Sequence, residues 1–135
     1  MKEKQNADPL EPTRSELEIL QVLWKHGPST VRFVNDTLNE QLREVQYTST
    51  LKLMQIMHGK GILRRDESTM KHVYSAAIEE QQTKGQLLDR MIDSMFSGSR
   101  SKLVLQLLGN KKTSQKELKE IKDFLKKLDG DNAAQ

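Results

Sequence analysis

Apolar residues recur at helical spacing along most of this chain, and the places where the pattern breaks mark out its elements. Leu17, Leu20 and Trp24, with Ile19 and Leu23, line one face of a first helix. Thr13 followed by Glu16 is a capping-box pattern at its start, and His26-Gly27-Pro28 supplies its stop. Val31, Val34 and Leu38 space a short second helix to about Gln41, and Arg43 to Gln46 reads as a turn. Leu51, Leu53, Met54 and Met57 then make a third helix that ends at Gly59-Lys60-Gly61, with Thr48 or Ser49 as its expected N-cap. Leu53, Met54 and Met57 are expected to face the core.

Strand-like alternation follows. Ile62-Leu63-Arg64-Arg65 and His72-Val73-Tyr74-Ser75-Ala76 are short, partly β-branched stretches separated by Asp66 through Met70, the layout of a hairpin. From Glu79 the helical period returns. Leu87, Leu88, Met91, Ile92, Met95 and Phe96 form one stripe, stopped by Ser97-Gly98-Ser99. Leu103, Val104, Leu107 and Leu108 form a second, broken at Gly109-Asn110. Ser114 with Glu117 opens a last helix carrying Leu118, Ile121, Leu125 and Leu128. The predicted fold class is mainly α with a small β-hairpin: a winged helix-turn-helix domain followed by a helical region. The expected divisions are a flexible N-terminal arm (1–12), the winged-helix domain (13–78), the helical region (79–128) and a frayed tail (129–135).

Composition limits the chemistry. Without cysteine, disulfide scaffolds, thiolate metal sites and cysteine nucleophiles are excluded. The three histidines, His26, His58 and His72, fall in different predicted elements, so no metal site or other cofactor is expected. No apolar run reaches the ~20 residues of a membrane span and no signal-peptide core follows the polar start, which predicts a soluble, cytoplasmic protein. There is no Gly-rich phosphate loop, nucleophile elbow or HExxH pair, so the chain does not read as an enzyme.

Charge changes the picture once it is divided along the chain. Residues 47–78 carry 5 basic and 2 acidic side chains, the largest positive excess of any segment, and that points to a polyanionic partner. In a winged helix the third helix enters the major groove while its apolar side packs on the first two. Here the outward face would present Thr48, Ser49, Lys52 and Gln55 to DNA, with Tyr47 either joining them or packing under the helix, and the wing would add Arg64, Arg65, Lys71 and His72. Lys52 suits a phosphate or guanine, Gln55 an adenine, and the hydroxyls either phosphates or bases. A winged-helix module that binds a protein partner would use the same surface. A ligand-sensing repressor would need a pocket among the helices around Leu87 to Leu108.

Tyr47-Thr48-Ser49-Thr50-Leu51, continuing to Met57-His58-Gly59-Lys60-Gly61-Ile62-Leu63, resembles the recognition-helix signature of the BlaI/MecI/CopY family of penicillinase-repressor type. Thr13 through Leu20, Leu23-Trp24, Gly27-Pro28, Val73-Tyr74 and Phe96-Ser97-Gly98-Ser99 with Leu103-Val104 follow in the order that resemblance requires, over roughly residues 10–128. The resemblance implies a homodimeric winged-helix transcriptional repressor on a double-stranded DNA operator with dyad symmetry. It assigns dimerisation to the carboxy-terminal helices, here Leu87, Leu88, Met91, Met95 and Leu103, with Leu107, Leu118, Ile121, Leu125 and Leu128. The chain departs from its relatives at Leu51, often lysine, and at Ile56, often arginine. In β-lactam-responsive members a sensor-linked protease cuts an Asn–Phe bond after a Leu-Val-Leu run. Gln106-Leu107 takes that place here and is the candidate cleavage position. The Cys-x-Cys cluster of the copper-responsive branch is missing.

Overall fold

The computed structural model describes residues 11–133, as two compact units divided between Leu87 and Leu88. Most of the expected amino-terminal arm lies outside the described residues.

Three helices, α1 (Arg14–His26), α2 (Val31–Gln41) and α3 (Tyr47–Gly59), and the strands β1 (Ser29–Thr30), β2 (Leu63–Asp66) and β3 (Val73–Ala76) build the first unit. The capping box at the start of α1 is formed: Thr13 Oγ1 accepts from the Glu16 N–H and Glu16 Oε1 accepts from the Thr13 N–H. Gly27 ends the helix at φ 82°, a conformation that costs a residue with a Cβ. Thr30 then caps α2 by accepting from the Phe33 N–H. All three helices turn apolar faces inward, so that Ile19, Leu20, Val34, Met54, Met57 and Ile62 are buried beside Tyr74 of the sheet. Leu53 is packed against this core only in part. The Trp24 indole N–H donates to the Ile78 carbonyl (3.0 Å), tying α1 to the segment after the wing.

Two local features depart from the sequence expectation. The N-cap of α3 is Gln46, in extended backbone and without a side-chain cap, so neither Thr48 nor Ser49 serves. The cause lies in the preceding turn: Asn39 Oδ1 accepts from the Val45 N–H and Asn39 Nδ2 donates back to the Val45 carbonyl. That pins the chain early, and Thr48 and Ser49 become exposed first-turn residues. The hairpin is in addition a three-stranded antiparallel sheet of order β1-β3-β2, because Ser29 and Thr30 pair with Tyr74 and Val73. In the hairpin itself Leu63 pairs with Ala76 and Arg65 with Tyr74.

The second unit takes up α4 (Glu80–Phe96) from Leu88 onward and adds α5 (Arg100–Leu108) and α6 (Gln115–Ala133). Ser97 at φ 51° and Gly98 at φ 79° make the sharp break after α4, and Ser99 caps α5 through the Lys102 N–H. The predicted box at Ser114 and Glu117 is present in both directions. α6 continues past Leu128, the end of its apolar stripe, to Ala133. Among the described residues of this unit, Ile92 is the one buried apolar side chain.

Candidate nucleic-acid interface

The site is built on α3, and both ends of that helix are held by polar groups. At its start Asn35, buried in α2, donates to Thr50 Oγ1 (2.8 Å) and to the Val45 carbonyl (3.0 Å). Asn39, one turn further along α2, donates to the Asn35 carbonyl (2.7 Å). Beyond its last turn Lys60 reaches back 44 residues to Glu16, with Nζ 2.8 Å from Oε2 of a carboxylate that is 1% exposed. Buried polar groups of this kind fix a geometry because any displacement leaves them unpaired. Asn35→Ala is therefore expected to lower the stability of the first unit by about 2 kcal/mol, as the bonds to Thr50 and Val45 and a longer one accepted from Asn39 are lost and a small void is left. The check is urea unfolding followed through Trp24, the single tryptophan.

With Thr50, Met54 and Met57 inside, Thr48, Ser49, Lys52, Gln55 and Ile56 form the outward face. No carboxylate occurs between Glu44 and Asp66, and Lys52 has no acidic partner among the described residues. Beside this face a groove of about 350 Å³ separates α3 from the wing, lined by Arg32, Tyr47, Gln55, Lys71, His72 and Tyr74 among others. The Arg32 guanidinium lies over the Tyr47 ring, 4.1 Å from its centroid, which holds an exposed cation at the rim. Arg32 is absent from the set predicted from sequence; its placement depends on Tyr47, fifteen positions away.

Tyr47 is half-buried and supports Arg32, while Gln55, Lys71 and His72 meet at the groove. Ser49 lies on another flank, beside Gln46 and Leu53 in a separate cleft against α1. The two wing arginines part company, because neighbouring strand residues point to opposite faces. Arg65 shares the face of its cross-strand partner Tyr74 and donates through Nε to Glu67 (2.6 Å). Bonds to Tyr74 and then Glu67 raise its pKa above the usual arginine value, and Arg65 in turn holds the Glu67 carboxyl below the usual range. Arg64, on the other face, donates to the Ala76 carbonyl (3.3 Å). The surface therefore offers a cationic frame of Arg32, Lys52 and Lys71, with the His72 imidazole beside them, around neutral hydrogen-bonding groups. This arrangement can neutralise phosphates and read base edges.

In the second unit the apolar candidates stand largely uncovered. Leu88, Met95, Leu107, Leu125 and Leu128 are exposed, and Met91, Leu103, Leu118 and Ile121 are half-buried. Gln106 and Leu107 lie in the last turn of α5, both exposed. Leu87 closes the first unit and is half-buried. No helix among the described residues is long and apolar enough to cross a membrane.

A family model described as penicillinase repressor matches residues 12–127. The chain is also similar to a penicillinase repressor of Staphylococcus aureus, 24% identical over 117 residues that cover 86% of this chain and 91% of that relative.

Proposed function

The chain belongs to the penicillinase repressor family, a family of DNA-binding transcriptional repressors and not of enzymes, and from that premise we propose that it acts in the cytoplasm as a homodimer on a dyad-symmetric operator. The observation that carries this reading is the carboxylate-free outward face of α3, centred on Lys52 and framed by Arg32, Lys71 and His72. Two copies of that face would occupy successive major grooves and cover a promoter. The uncovered apolar stripes of α4, α5 and α6 support a dimer built through the second unit, since a chain alone leaves them in water. Inactivation would follow a cut at Gln106–Leu107 by a sensor-linked protease. Losing the dimer would end the bivalent engagement that multiplies affinity.

Fluorescence anisotropy of the protein with DNA from upstream of its own gene, beside a scrambled duplex and at two salt concentrations, tests the reading. Selective binding that weakens steeply with salt is the expected result. Equal, weak, salt-insensitive binding to both duplexes would refute it. Lys52→Ala is expected to cost about 1–3 kcal/mol of operator affinity if the ammonium reads a base, or to lower the salt slope by about 1 if it binds a phosphate. Affinity and slope both unchanged would remove Lys52 from the contact surface.

A further inference from the structure

One residue on the outward face of α3 is explained neither by folding nor by charge. Ile56 is 44% exposed and belongs neither to the buried core nor to the partly buried side chains packed on it. It stands one turn beyond Lys52 on the same side of the helix, whereas Gln55 turns towards the groove beside the wing. A β-branched aliphatic side chain gains nothing in water at a helix surface and slightly disfavours the helix. Its setting is a cationic surface suited to a polyanion, so the occupant has to combine an anionic backbone with an apolar contact point. In the major groove the apolar feature of a base edge is the 5-methyl group of thymine. The neighbouring Gln55 carries the amide that pairs with the N6 and N7 edge of adenine, so the two residues suit A·T pairs together.

We propose that Ile56 is a specificity-determining residue that reads a thymine of the operator through its 5-methyl group. The proposal rests on the DNA-binding reading given above. Lys52, beside it, supplies charge without this selectivity, and Thr48 and Ser49 at the start of the helix supply hydroxyls.

The test uses the full chain and a duplex that it selects from a randomised pool. The selected duplex is rebuilt with deoxyuridine in place of one thymine at a time, which removes the methyl group and leaves every hydrogen-bonding atom. The expected result is a thymine in each half-site at which the exchange weakens binding about three- to fivefold, the effect of losing one buried methyl. Ile56→Ala should then bind the thymine and uracil duplexes alike at that position, and Ile56→Leu should keep the difference. If uracil is tolerated throughout, or if Ile56→Ala keeps the full uracil penalty, the inference is overturned while the repressor reading stands. If the protein selects no duplex at all, the repressor reading fails and takes this assignment with it. The uracil scan is made on the unaltered protein, so its outcome does not depend on the folding of a variant.

Discussion

An Ile121→Asp chain is expected to sediment as a monomer under conditions where the parent is a dimer, and to lose operator affinity by about 100-fold or more. Ile121 and Leu118 are the half-buried members of the α6 stripe, whereas Phe124, Leu125 and Leu128 stand exposed. A carboxylate at position 121 would have to be stripped of water for the stripe to be covered by a second copy. That cost exceeds what one aliphatic contact returns. The thermal unfolding of the first unit, followed through Trp24, supplies the control, because Ile121 belongs to the other unit. Sedimentation velocity at micromolar concentration reads the oligomer. A dimer that survives the substitution would place α6 outside the interface and leave the stripes of α4 and α5 to carry it.

The second large effect concerns the ion pair that closes α3. Lys60→Met keeps the aliphatic stem but leaves Glu16 Oε2 buried without its cation, and the expected loss of stability is about 2 kcal/mol. The figure lies below the usual cost of breaking a buried pair because the Lys60 side chain is 38% exposed, so water can reach the gap. Glu16→Gln should cost less: the amide oxygen can still accept from the Thr13 N–H, and Lys60 can turn to solvent. Joining the two changes should recover part of the Lys60→Met loss, since no buried charge is then left alone. Urea midpoints at constant m-value, read from Trp24 fluorescence, decide the order. Equal losses for the two single changes would mean that the pair is solvated and does not anchor the helix.

Features set by short-range chemistry were legible in the chain itself. The Thr13–Glu16 and Ser114–Glu117 boxes, the Gly27 stop and the burial of Met54 and Met57 each follow from residues within one or two turns. What could not be read depends on partners far apart in sequence. Glu16 reads as half of a capping box, yet its second oxygen serves Lys60. Asn35 sits at a position where an asparagine suggests a solvated face, but Thr50 and Val45 come to it across the turn. That bonding also explains the displaced start of α3, since a turn fixed by asparagines needs no hydroxyl cap. For the interface, the residues of α3 were readable from their period. Arg32 was not, nor was the separation of Arg64 from Arg65, which needs the strand register.

The strand order β1-β3-β2 bears on a different property, the behaviour of concentrated solutions. Both outer strands present backbone groups at which a further chain could add. β1 is two residues long and runs directly into the capped start of α2, so it offers no length for pairing. β2 is four residues long and carries Arg64, Arg65 and Asp66, whose charges an added strand would have to bury or oppose. Short and charged edges suppress edge-to-edge growth. The sheet of the wing is thus a poor template for aggregation.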